Sequence, residues 1–146
     1  MHARVFCHAT EDLDKVKHSL AETVGPADIR VSRMEGHHGN AIFVLEALVE
    51  DDDAIRRFFQ RLRSDDLEAV MTSLSSRIDD KCNLHLRLDK QSSFKGILRL
   101  GENDDVVSVR VRVRAFPAKV EEAKRIAENY MKDILADRGA EAAGPD

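Results

Sequence analysis

Asp105-Val106-Val107-Ser108-Val109-Arg110-Val111-Arg112-Val113-Arg114-Ala115 is the stretch on which the fold reading turns. Val107, Val109, Val111 and Val113 alternate with Ser108, Arg110, Arg112 and Arg114, the period-two pattern of a strand with valines inward and polar groups outward. Just upstream, Asn83 to Lys90 repeats the pattern, with Leu84, Leu86 and Leu88 on one face and His85, Arg87 and Asp89 on the other. Lys95 to Leu100 reads as a short strand between them. Downstream, Pro117 is placed to open a final helix at a first-turn position. Val120, Ala123, Ile126, Ala127, Tyr130 and Ile134 line the apolar face of that helix, and a small polar tail is expected from Gly139.

The N-terminal half alternates differently. His2 to His8 reads as a strand centred on Val5, Phe6 and Cys7. Thr10 is the expected cap of a helix carrying Leu13, Val16 and Leu20, which Gly25-Pro26 stops. A second strand begins at Ile29 and Val31, and a third, Ala41 to Val49, is almost continuously apolar. Asp51-Asp52-Asp53 and Ser64-Asp65-Asp66 each start a helix with acids in the first turn, where they suit the helix dipole. The order β-α-β-β-α-α-β-β-β-α predicts an α+β fold: a mixed, mostly antiparallel sheet with helices packed on one face. One domain over residues 1–138 is expected, with residues 139–146 as a flexible tail.

Bulk properties narrow the function. A chain of 146 residues with 42% hydrophobic and 34% charged residues is long enough for a single well-filled core. No apolar run approaches the ~20 residues of a membrane span. With only Cys7 and Cys82, far apart, and no signal-peptide pattern, a reduced, cytoplasmic setting is expected. The net charge of −4 argues against a uniformly basic nucleic-acid binder. The charge is uneven, though. Residues 1–76 hold 9 Lys/Arg and 14 Asp/Glu (net −5), whereas residues 77–114 hold 9 and 6 (net +3). A local positive field is therefore expected in the second half.

Gly36-His37-His38-Gly39-Asn40 lies between two strand-like runs. A turn needs only the Gly and Asn; the two histidines exceed that need. Adjacent side chains in an extended stretch point to opposite faces, and a zinc site needs three or four ligands at readable spacing. No metal or cofactor is expected. The paired acids Asp79-Asp80 and Asp104-Asp105 read as turn residues, and no nucleophile stands at a readable spacing from a histidine base. Arg110, Arg112 and Arg114 space guanidinium groups about 7 Å apart along one strand, close to the step between successive phosphates. Lys90 and Gln91 read as free donors at a strand end, with Arg87 and Asp89 able to pair. Aromatics are only 5% of the chain, and Phe94 is the one aromatic of the basic region outside core-like runs. Contacts to phosphate and sugar are therefore favoured over base stacking.

Ala9-Thr10-Glu11-Asp12, Gly36-His37-His38-Gly39-Asn40, Arg77-Ile78-Asp79-Asp80 and Arg87-Leu88-Asp89-Lys90-Gln91, taken in order, resemble the small archaeal proteins described as predicted RNA-binding proteins, sometimes as candidate exosome-associated subunits. The resemblance runs from about Arg4 to Phe116. It implies a fold like that of the large-subunit ribosomal protein that binds 5S ribosomal RNA, and RNA binding without a known reaction, often in a dimer. Pro commonly follows the Gly-Asn pair in that pattern, where this chain has Ala41. The combined reading is a non-catalytic RNA-binding protein of RNA processing or ribosome-related assembly. Gly36, His37, His38, Gly39, Asn40, Arg87, Lys90, Gln91, Arg110, Arg112 and Arg114 are the expected RNA contacts. The competing readings are a protein-interaction subunit of an RNA-processing complex and, behind it, a metal-dependent phosphodiesterase.

Overall fold

Alternation along the strands builds one sheet with two unlike faces. The computed structural model describes residues 1–36 and 39–142. Its elements are β1 (His2–Cys7), α1 (Leu13–Val24), β2 (Ile29–Glu35), β3 (Ala41–Leu48), α2 (Asp52–Arg61), α3 (Ser64–Thr72), α4 (Leu74–Arg77), β4 (Asn83–Asp89), α5 (Lys90–Phe94), β5 (Val106–Arg112) and α6 (Val120–Ala142). The strands form a five-stranded sheet in the order β2-β3-β1-β5-β4. Every neighbouring pair is antiparallel, so the sheet expected to be mixed is antiparallel throughout.

One face of the sheet is the core. Ala3, Val5 and Cys7 of β1, Leu45 and Ala47 of β3, Leu84, Leu86 and Leu88 of β4, and Val107 and Val109 of β5 are all buried. The helices meet them with Leu20, Phe58, Leu62, Leu67, Val70, Met131 and Ile134, also buried. Each buried Val, Leu, Ile or Phe side chain favours the folded state by about 1.5–3 kcal/mol relative to exposure. A one-residue slip in any strand would turn this set to water, so the register is strongly specified.

The pairing also sorts the loops into two ends. Cys7 opposite Phe43 and Asp89 opposite Val106 bring the end of β1, the start of β3, the end of β4 and the start of β5 to one end of the sheet. His2 opposite Leu48 and Arg110, and Asn83 opposite Arg112, define the other end.

Local chemistry moved several expected boundaries. Asp12, not Thr10, caps α1: its carboxylate accepts from the Asp14 and Lys15 amides at 2.9 and 3.4 Å. Lys95 to Leu100 is not a strand. Asp89 instead caps the short α5 by accepting from the Ser92 amide and hydroxyl, at 2.9 and 2.6 Å. Gly96 then turns the chain at φ +77°, and Leu100 alone bridges to Leu88. The final helix starts at Val120, because Pro117 lies in a turn closed by the Lys119 amide on its carbonyl at 2.8 Å. That helix runs through Gly139 to Ala142, past the expected start of the tail; residues 143–146 lie outside the described residues.

Candidate nucleic-acid interface

With the helices on the core side, the second face of the sheet is open. Strand register aligns Arg30, Glu46, Arg4, Ser108 and Arg87 in one row across all five strands. The next row holds Leu48, His2, Arg110 and His85, and Arg112 follows beside Asn83. At about 4.8 Å between strands, the row spans roughly 19 Å. Arg4, Arg30, Arg87, Arg110 and Arg112 are all exposed, as is Arg114 just beyond the end of β5. Burial lowers the pKa of the Met1 ammonium at this end. Glu50 opposes that shift, while Arg110 and Arg114 add to it.

Two carboxylates on this face, Glu46 and Asp79, are tied to histidines. Glu46 is 2.8 Å from Nε2 of His2, and that hydrogen bond is the main reason its pKa lies below the usual value, with Arg4 and Arg30 adding smaller pulls. Asp79 is 2.7 Å from Nε2 of His85 and accepts from the Asn83 and Lys81 amides at 2.9 Å each. The His85 contact comes first among the causes that hold its carboxyl far below the usual carboxylate range. Arg87 does not pair with Asp89, which is occupied as the cap of α5. Arg87 donates to the Asn103 carbonyl at 2.7 Å and lies 3.5 Å from Asp104. Among the described residues, Arg4, Arg30, Arg110 and Arg112 stand outside the ion pairs of this face, His2–Glu46, His85–Asp79 and Arg87–Asp104.

Lys90 is not a free donor. It is 4% exposed. Its ammonium donates to the Phe6 carbonyl at 3.0 Å and to both oxygens of Glu11 at 2.9 and 2.7 Å, and lies 3.3 Å from Asp105. Its own backbone carbonyl accepts from the Ser19 hydroxyl at 2.9 Å. Lys90 therefore joins β1, α1, α5 and the approach to β5. Gln91 is exposed but also directed to Asp105, at 3.1 Å. These groups border an open groove of about 410 Å³ between α1 and α5. Two of the four resemblance motifs thus meet at this corner, as the Glu11–Lys90 pair. A third, Arg77-Ile78-Asp79-Asp80, closes the outer edge of β4: Ile78 is buried and bridges to Leu84, while Arg77 Nε donates to the Ser73 hydroxyl at 2.7 Å.

Gly36, Gly39 and Asn40 lie where β2 turns back into β3, next to the Glu35–Ala41 pair. The Gly36 amide donates to the Asn40 carbonyl at 2.7 Å, and Gly39 turns at φ +74°. A Cβ on Gly36 would lie 2.6 Å from Ile42 Cδ1, so a side chain there needs the Ile42 side chain to shift. His37 and His38 lie outside the described residues. Gly36, Gly39 and Asn40 share an end of the sheet with Lys90 and Gln91 but not an edge: β1 and β5 stand between β3 and β4. The expected contacts thus fall into three groups: the hairpin tip, the Lys90 corner, and the arginines of β4 and β5.

Three open-face residues lay outside the expected set: Arg4, Arg30 and Phe6. Phe6, which the sequence reading put at a strand centre, points away from the core and is 40% exposed, with the Arg4 guanidinium 5.4 Å from its ring centroid. The alternation of Ala3, Val5 and Cys7 carries the signal, since it leaves His2, Arg4 and Phe6 for the other face. Among the described residues, no three His, Cys, Asp or Glu side chains are grouped to hold a metal ion, and no helix is long and apolar enough to cross a membrane.

A family model described as RNA binding matches residues 1–115. An RNA-binding protein of Pyrococcus abyssi is 32% identical over 139 residues, covering 88% of this chain and 90% of its own. The solved structure of a DUF54 protein from Methanothermobacter thermautotrophicus superposes with a TM-score of 0.78 at 30% identity, covering 89% of this chain and 95% of that one. A DUF54 protein from Archaeoglobus fulgidus gives 0.79 at 28% identity, covering 88% and 96%.

Proposed function

The chain belongs to the family described as RNA binding, and on that premise we propose that it holds RNA on the open face of its sheet, as a binding module rather than a catalyst. The arrangement that supports this is the row-and-column set of Arg4, Arg30, Arg87, Arg110 and Arg112 on a face the helices leave bare. Guanidinium forks match phosphate oxygens in pairs. Two residues along a strand separate them by about 7 Å, so a single backbone can follow β5 toward Arg114. The Gly36–Asn40 tip, with its histidine pair, meets the same RNA from the other end of the sheet. Gln91 is a further contact at that end, and Lys90 serves by holding the corner in place. The relative from Pyrococcus abyssi, named for RNA binding, supports the same class of ligand.

A titration of labelled single-stranded and structured RNA across ~50–200 mM salt tests this reading. Neutralising four or five phosphates predicts a log–log slope between about −3 and −3.5 on a single strand. Absence of salt-dependent binding below ~100 μM, the weak end of non-specific affinity, would contradict it. The same RNA is expected to stay intact over hours with Mg²⁺ or Mn²⁺; cleavage would overturn the non-catalytic part.

A further inference from the structure

The open face carries an apolar patch as well as arginines. Phe6 lies opposite Val44, and Val44 opposite Ser32; one step toward the hairpin tip, Ile42 lies opposite Met34. Phe6 and Met34 are 40% and 53% exposed, a large apolar area for a solvated face. Val44 is only 6% exposed, yet it stands outside the contiguous core beneath the helices. Arg4 and Arg30 border the patch in the adjoining row. Apolar side chains bordered on one side by two cations fit a ligand with a flat apolar surface and a negative backbone.

We infer that an unpaired RNA base stacks on Phe6, with Arg4 and Arg30 taking the phosphates on either side, so that the ligand of this face is single-stranded or looped RNA. This rests on the RNA-binding reading and narrows it. In a duplex the base faces are hidden in the stack, whereas unpaired bases expose them to aromatic rings and guanidinium planes. Arg4 already lies against the Phe6 ring at 5.4 Å, so the ring and the cation form one preformed platform. The low aromatic content is no obstacle, because one ring at the right place serves one base.

The experiment compares single-stranded oligoadenylate with a perfect RNA duplex of equal charge, on the full chain. Phe6→Leu is expected to lower oligoadenylate affinity about 5- to 150-fold, the usual range for losing one stacked base, and to leave duplex affinity unchanged. Phe6→Tyr keeps the ring and is expected to retain oligoadenylate binding within about twofold. The chain has no Trp, so Phe6→Trp supplies a lone indole whose fluorescence is expected to be quenched as the base stacks. Wild-type affinity in Phe6→Leu, or an unquenched indole on bound RNA, overturns the stacking site. If Arg110→Ala still weakens both RNAs in that case, the broader RNA-binding reading stands. Failure of the wild type to bind either RNA sinks both. A changed sedimentation mass in Phe6→Leu with unchanged RNA affinity would mark the patch as a contact between copies of the chain, and also overturns the inference.

Discussion

The corner around Lys90 and the open face around Arg110 both present cations, and they use them in opposite ways. Lys90 is enclosed, its ammonium shared among a carbonyl and two carboxylates from three parts of the chain. Arg110 and Arg112 are exposed on the bare side of the sheet. A desolvated cation that lost its partners would be costly, so Lys90 is committed to the fold. A solvated guanidinium without a partner is available to a ligand. Motif prominence in the sequence does not separate the two cases. Asp89 and Lys90 of one resemblance motif and Glu11 of another build the scaffold.

The largest effect should come from breaking the corner. Lys90→Ala leaves Glu11 facing a hole and is expected to cost about 2 kcal/mol, seen as a fall of roughly 4–8 °C in Tm for a domain of this size. RNA affinity of the folded protein should stay within about twofold; a lost affinity at unchanged Tm would move Lys90 from the scaffold to the site. Next comes the face. Arg110→Ala with Arg112→Ala should weaken RNA binding about tenfold, or about 1.4 kcal/mol, flatten the salt slope by about 1.4, and leave Tm nearly unchanged.

Glu46 brings the opposite charge to the same face. It is the one carboxylate in the central arginine row, so Glu46→Gln should raise RNA affinity about threefold in ~50 mM salt and less as salt screens the face. The smallest effect concerns Asp79. Its pKa is depressed in the folded state from an ordinary 3.8, so its contribution is present above that value and is lost as pH falls through the depressed one. The Tm gap between wild type and Asp79→Ala should be widest near neutral pH and should close as pH drops below about 4. A gap that widens in acid would refute the assignment.

Much of this was readable from period-two patterns. The β4 and β5 alternations placed Arg87, Arg110 and Arg112 on the outward face without any tertiary information. Phe6 was not read, because an aromatic inside Val5-Phe6-Cys7 looks like core until the parity of Ala3, Val5 and Cys7 is followed. Lys90 was misread for a different reason. Its partners Glu11 and Asp105 are 79 and 15 residues away, and no local pattern encodes a buried ion pair closed by topology. The stretch from Lys95 to Leu100 failed because a side-chain cap at Asp89 redirects the backbone before a strand can form. Strand order set the remaining limit: it separates the hairpin tip from Arg87 by two strands, which hydrophobic periodicity does not report.

The most direct test of the central claim is to map amide chemical shifts of ¹⁵N-labelled protein during titration with single-stranded RNA. Shifts are expected along the open face of the sheet, at Arg4, Phe6, Arg30, Arg87, Arg110 and Arg112, with α2 and α6 unmoved. Perturbations confined to the helical side, or to the Lys90 corner with β5 silent, would contradict it.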